Sequence, residues 1–406
     1  MSTADRTAEK KAFRLSMLIY DTRYRSITIQ VIALIALALI AAWLVSNTLS
    51  NLEALDKELG FGFLKESAGY DINQRLIEYD SRDSHWRAAQ VGILNTLLVA
   101  AMGCVLATFI GVTAGVARLS QNWVIARLMT VYVEMFRNIP VLLWIVLIMA
   151  VVIESLPVPR SFKGDNATSS MLFGDSVAVT NRGIYFPKPL FNDGSMIVVA
   201  AFILSLVGIW FFGRWAKKRQ EMTGDILPTG WIKLGIFFIP ALLVFFIMGM
   251  PIGLEYPVFK GFNFKGGYQM RNSLIALWLA LSFYHGAFIA EAVRAGIQAI
   301  SKGQSEAAAA LGLRPKRIMS LVILPQALRV IIPPMISHYL SLTKNSSLAI
   351  VVGYMDITAT LGGITLNQTG REMESLLLLM GMYFAISITV SVIMNWYNES
   401  IKMRER

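Results

Sequence analysis

Two blocks of polar residues interrupt segments that are otherwise apolar, and they are the side chains of this chain best placed to act on a solute. Ser282, His285 and Glu291 fall in one segment, at spacings of three and six that turn them toward one side of a helix. Thr343, Lys344, Asn345, Ser346 and Ser347 form the second. Such groups are expensive in hydrocarbon and carry a functional reading by default. Each also has a plainer one. His285 either lines a path or makes a structural hydrogen bond; Glu291 pairs with Arg294 or Lys302 near the helix end; Lys344 either attracts a substrate carboxylate or extends to the interface.

Covalent chemistry finds no support. There is no GxxxxGK[ST] phosphate loop, so the chain is not by itself a P-loop ATPase. His85, His285 and His338 are far apart and offer no metal-ligand spacing, and no GxSxG elbow is present. The single cysteine, Cys104, excludes an intrachain disulfide and reads as a packing residue. Polar residues inside apolar segments, without a catalytic constellation, imply a conduit whose energy comes from elsewhere.

The elements that position these residues are membrane helices. With 55% hydrophobic and 16% charged residues in 406, the chain is far more apolar than a soluble protein of its length. Runs near the roughly 20 residues needed to cross the hydrocarbon core occur around 27–49, 91–116, 128–153, 195–213, 231–250, 273–293, 328–353 and 375–396. The expected fold is all-α, a polytopic bundle of about eight transmembrane helices, the seventh interrupted by Pro333, Pro334 and Lys344. The first run exceeds a signal-peptide core of roughly 7 to 15 residues and is expected to stay as an anchor. The pair within 195–250 holds no intramembrane charge and reads as peripheral, facing lipid.

Loop charge sets the orientation. Lys10, Lys11, Arg14, Arg23 and Arg25, then Arg118 and Arg127, then Arg214, Lys217, Lys218 and Arg219, then 302–317, and finally Lys402, Arg404 and Arg406 alternate with mixed or acidic loops. The acidic one holds Glu53, Asp56, Glu58, Asp71, Glu78, Asp80 and Asp83. Both termini are therefore expected in the cytoplasm. The net charge of +11 follows from this topology and from anionic membrane lipid, and not from nucleic acid. The larger outer inserts are 51–90 and 156–194; Pro157, Pro159, Pro187 and Pro189 predict that the second is mostly irregular.

Two local motifs punctuate this plan. RNIP at 137–140 places a proline inside the third run, predicting a helix break at Asn138 and Pro140, with a surface helix boundary as the plainer reading. SKGQSEAAAALGLRPKRIMSLVILP at 301–325 is polar and alanine-rich. Ser301 as cap with Gln304 reaching back predicts a helix start, and Gly312 ends it. The piece is roughly 15 Å long, too short to span, and it lies on the basic side of the membrane. Either another protein or a lipid surface could receive it.

Glu306, Ala307 and Ala308, then Gly312, then Val322, Leu324 and Pro325 resemble the EAA loop of permease subunits in bacterial ATP-binding-cassette importers, Val322 standing where the family usually has Ile. YVEMFRNIPVLL at 132–143, GAFIAEAVRAGIQAISKGQSEAAAALGL at 286–313, LPQALRVIIPP at 324–334 and LTKNSSLA at 342–349 are similar to the polar amino acid branch. The matching segments cover about half the chain, roughly 91–153 and 273–396. The resemblance implies a type I importer permease core with extra helices. Its alanine-rich loop would be a coupling helix seated in a separate cytoplasmic ATPase. Glu306 would be a charge-assisted anchor, Ala307 and Ala308 a close-packing surface and Gly312 the return turn, with Ser305 and Leu313 in the same contact.

The first helix and the insert 156–270 depart from five-helix permeases and look like the larger permeases of general L-amino acid systems. The implied organisation is a cytoplasmic tail 1–26, an extra helix and outer loop 27–90, core segments 91–155 and 271–397 with the coupling loop at 294–325, the insert between them, and a tail 398–406. The implied partners are two ATPase copies, a second, non-identical permease and a periplasmic amino acid binding protein, in a bacterial inner membrane. This chain would bind no cofactor, ATP being used by the partner. The substrate path would involve Ser282, His285, Thr343, Lys344 and Asn345. An ion-driven secondary transporter is the alternative; it would be supported by paired half-repeats, and none is visible.

Overall fold

The computed structural model describes residues 17–54, 59–164, 167–225 and 227–401. The basic tail residues Lys10, Lys11, Arg14, Lys402, Arg404 and Arg406, and the acidic Asp56 and Glu58, lie outside them. Chain contacts divide the protein into Met1–Phe63 and Leu64–Arg406. Most of the described residues of the first unit form one long helix, α1 (Thr22–Ala54), apolar around its circumference. Among the described residues eight helices are long and apolar enough to cross a membrane, the number expected.

The second unit is built around α7 (Asn272–Gln298), the most buried of these helices. Against it pack α2 (His85–Ala117), α3 (Trp123–Asn138), α4 (Val141–Ser155) and α9 (Leu324–Asn345). Leu274, Leu277, Leu281 and Ile289 of α7 meet Val99, Ala107, Ile145, Ile331 and Leu342 in one core. Small residues set the approach. A Cβ built on Gly111 would stand 2.9 Å from the Gly286 carbonyl oxygen, and one on Gly115 2.7 Å from that of Ala290. Two glycines four apart thus form a flat stripe on which α7 lies, the small-residue packing that membrane helices use in place of a hydrophobic drive.

Three expectations change. The run at 128–153 is not one helix: it divides into α3 and α4, and the spanning helix of this region is Val141–Phe162. α5 (Ser195–Thr223) continues well past 213, so its basic cluster is helical rather than loop, before α6 (Thr229–Ile247) returns beside it. The seventh span is helical from Pro315 to Val352, with a wide π turn at Met319–Ile323 and a tight 3-10 end at Ser346–Val352 that stops at left-handed Gly353. The eighth span lies in α10 (Glu372–Ile401).

The insert is also more ordered than its prolines suggest. Strands β1 (Ala178–Thr180), β2 (Gly183–Phe186) and β3 (Lys188–Phe191) precede α5; β4 (Ile252–Glu255), β5 (Val258–Lys260), β6 (Asn263–Lys265) and β7 (Tyr268–Arg271) follow α6. They form antiparallel sheets β1-β2-β7, β3-β4 and β5-β6. Gly183 pairs Arg271 and Phe186 pairs Tyr268. Ala178, Tyr185 and Phe264 are buried together, with Phe162 and Phe259 against them. Pro189 is tolerated because β3 has only one partner strand.

Candidate functional site

The alanine-rich segment folds as α8 (Lys302–Ala310). The Ser301 side chain makes no cap bond, against expectation, and Gln304 does not turn back to it. Its Oε1 instead accepts from Gln326 Nε2 at 3.4 Å, joining α8 to α9. Ser305 Oγ donates to the Lys302 carbonyl at 2.8 Å. The C-terminus closes as a Schellman motif: Gly312 N–H donates to Ala309 O at 2.9 Å and Leu313 N–H to Ala308 O at 3.3 Å. Gly312 has φ +78°, a conformation L side chains avoid.

Arg314 and Pro315 then start the next helical stretch toward α9, Pro315 supplying the fixed φ of a first-turn residue. Of α8 only Ala308 is buried, at 5% exposure. Glu306 and Ala307 face outward, and Leu311 is 83% exposed at the tip. No hydrogen bond or ion pair engages the Glu306 side chain among the described residues.

The predicted break is present. α3 ends at Asn138, Ile139 is extended at φ −108°, ψ 133°, and Pro140 leads into α4. An extended residue before proline is what the ring's clash with a preceding helical turn requires. Aromatic rings brace the joint: Phe136 stacks on Trp144 at 4.0 Å and on Phe283 of α7 at 5.8 Å. Tyr132 Oη donates to the Phe283 carbonyl at 2.6 Å.

Beside the break lies an ion cluster. Glu291 accepts from Arg118 Nη1 and from Arg294 Nη2, each at 2.5 Å, and Arg137 Nη1 stands 3.9 Å away. Arg294 is thus a partner as expected, while Arg118 and Arg137 replace Lys302. One carboxylate gathers the ends of α2, α3 and α7, with Arg118 only 9% exposed.

The pathway candidates divide. His285 and Asn345 come together across α7 and α9, Asn345 Nδ2 standing 3.2 Å from His285 Nε2. His285 Nδ1 is buried without a partner among the described residues. Ser282 Oγ donates to Trp278 O at 2.6 Å and Thr343 Oγ1 to Tyr339 O at 2.9 Å, bonds within their own helices. Lys344 is exposed. Thr343 also lines an apolar crevice of about 520 Å³ between α2, α9 and α10, with Cys104, Thr108 and Tyr339.

Sequence reading overlooked a second polar centre. Asp356 is fully buried, its Oδ1 accepting from Ala359 N at 2.9 Å and its Oδ2 from Tyr383 Oη at 3.0 Å. Burial pushes its pKa up to about 6 against the opposing effect of these hydrogen bonds. Asn95 donates to Gln74 O at 2.7 Å and Met355 O at 2.8 Å, tying the outer loop to the bundle. Asn95 and Thr96 inside the second apolar run were the available signal.

Among the described residues no His, Cys, Asp and Glu side chains converge as metal ligands. The bundle combines eight helices long and apolar enough to cross a membrane, among the described residues, with imidazole and amide groups held inside it. It belongs to the class of multi-pass membrane transport subunits. Residues 227–403 match the family described as binding-protein-dependent transport system inner membrane component. The glutamate/glutamine/aspartate/asparagine transport system permease protein BztB of Rhodobacter capsulatus is 54% identical, over 98% of this chain and 98% of its own.

The general L-amino acid transport system permease protein AapQ of Rhizobium johnstonii is 45% identical over 97% of this chain and 96% of its own. A solved structure titled as an amino acid ABC transporter with histidines covers 78% of this chain and 95% of its own at 18% identity and a TM-score of 0.44. The chain belongs to the amino acid permeases of ATP-binding-cassette transporters, multi-pass proteins of the inner membrane. The ion-coupled alternative is thereby set aside.

Proposed function

We propose that this permease imports polar L-amino acids handed over by a periplasmic binding protein, and that α8 transmits the work of a separate cytoplasmic ATPase. The carrying observation is the outward presentation of Glu306, Ala307 and Leu311 on a rigidly capped hairpin with little intramolecular support. A helix of nine residues is marginal alone, so a hairpin left this exposed is best accounted for by a groove in a partner. Ser305, Gly312 and Leu313 shape the same contact, while Ala308, expected in it, packs inward beneath it. Both termini and α8 lie in the cytoplasm on the positive-inside reading.

The substrate class rests on BztB, which is named for glutamate, glutamine, aspartate and asparagine. His285 and Asn345 offer donors and acceptors suited to such side chains, with Thr343 on the crevice. The break at Asn138 and Pro140, next to the Glu291 cluster, is where α3 and α4 would pivot as the bundle opens. Assembly is with two ATPase copies and a second, non-identical permease, and ATP is bound by the partner rather than by this chain.

The test is Glu306→Arg in the reconstituted complex. Expected is normal membrane insertion with loss of uptake and of substrate-stimulated ATP hydrolysis. Uptake at the wild-type rate would reject the coupling role.

A further inference from the structure

We propose that the ends of α5 and α6 carrying Arg214, Lys217, Lys218 and Lys233 form a binding site for the phosphate headgroup of an anionic phospholipid. The proposal needs the membrane reading but not the coupling role of α8. α5 is apolar from 195 to 213 and then continues as helix, so its cations are held at fixed positions just beyond the hydrocarbon. Arg214, Lys217 and Lys218 are three and four residues apart and share one face. Lys233, in the second turn of α6, reaches back to α5: its Nζ would stand 3.5 Å from a Cβ on Gly213. Lys233 thus reaches the flank of α5 one residue before the turn that carries the other three cations.

Among the described residues none of the four has a carboxylate within ion-pair distance, and the neighbouring Arg219 is already committed to Asp225 at 3.6 Å. Like charges at this spacing repel, and an anion relieves the repulsion. The Arg214 guanidinium is pre-oriented over the Trp210 ring at 3.7 Å, which leaves its donor edge free for a bidentate oxyanion. Lysine ammoniums add point charges around it.

The surroundings select a lipid over a free ion. Trp210, Trp215 and Trp231 are exposed here, as aromatic side chains at the headgroup level are, and Phe211, Leu234 and Phe238 continue an exposed apolar flank on which acyl chains can lie. Arginine and lysine on the same helix ends give the site its charge selectivity, and the tryptophans fix its depth.

Native mass spectrometry of the detergent-purified transporter complex, titrated with phosphatidylglycerol, phosphatidylcholine or inorganic phosphate, tests the site. Retention of phosphatidylglycerol over phosphatidylcholine is expected. The single variants R214A, K217A, K218A and K233A should each weaken it about fivefold, and the quadruple variant should abolish the preference. W210L, which keeps every charge, should weaken it as R214A does. K188A/K260A/K265A, which removes three cations from the β-strand layer, should leave it unchanged. Equal retention of the two lipids, wild-type retention by the quadruple variant, or displacement by inorganic phosphate at matched concentration would each overturn the proposal.

Discussion

Gly312 offers the sharpest test of how α8 is held. The perturbation is a series, Gly312→Asn, Gly312→Ala and Gly312→Val, at a residue with φ +78° and no other atom within 4 Å of a built Cβ. Added side chains therefore meet open space, and what changes is backbone strain alone. An L residue in the left-handed region is disfavoured by about 1–2 kcal/mol, less for Asn and more for a β-branched residue. α8 has nine residues and one buried side chain, so its order rests heavily on the Schellman bonds of Gly312 and Leu313.

Removing about 1.4 kcal/mol lowers the ordered fraction's equilibrium constant roughly tenfold. Amide hydrogen exchange at Gly312 and Leu313 in the assembled transporter, beside substrate-stimulated ATPase activity, reads both ends of this argument. Protection and activity should fall together in the order Asn, Ala, Val. If Asn proves as damaging as Val, or Ala exchanges like the wild type, left-handed strain is not what holds the turn.

Three further outcomes follow from packing and from burial. Gly115→Ala would bring a Cβ to 2.7 Å from the Ala290 carbonyl oxygen and should destabilise the α2–α7 contact by about 1–3 kcal/mol. Gly381→Ala in α10, where a Cβ meets nothing within 4 Å, should be neutral or stabilising by up to about 1 kcal/mol in thermal melts. Asp356 lies between the seventh and eighth spans, and its pKa is raised by burial from 3.8 to about 6.

The folded state therefore holds this proton to higher pH than the unfolded state, so its contribution is complete below about 4 and is lost as pH rises through 6. The difference is about 3 kcal/mol. Melting temperatures from pH 4 to 7 should show the wild type losing ground to Asp356→Asn as pH rises; parallel curves would refute the assignment.

The spans were legible because hydropathy over about 20 residues is a local property, and the break at Asn138 and Pro140 because proline acts on its own helix. What depended on distant partners was not. Ser301 and Gln304 carry a capping pattern, yet Gln304 is taken by Gln326, a tertiary neighbour. The strands of the insert hold three or four residues each among prolines and glycines, and β2 finds its partner β7 only beyond two whole helices. Asp356 stands between apolar runs, where an acid looks ordinary. Its burial comes from the approach of the 358–365 helix to Gly92, whose Cβ would fall 2.3 Å from Thr360 Oγ1. Glu291 was read with Arg294, but Arg118 and Arg137 lie in other helices and could not be paired from spacing.

The pairing of β2 with β7 gives the insert a narrow neck. Phe186 and Tyr268 are register partners, and directly paired residues of an antiparallel ladder have Cα atoms roughly 5 Å apart. Everything from 187 to 267, including the α5–α6 pair, leaves and re-enters the bundle through that one rung. A short turn across the rung could replace it without altering the path of α2, α4 or α7. The helix pair is therefore joined to the bundle as one removable unit, and a change in its surface chemistry leaves the helices that enclose His285 and Asn345 in their places.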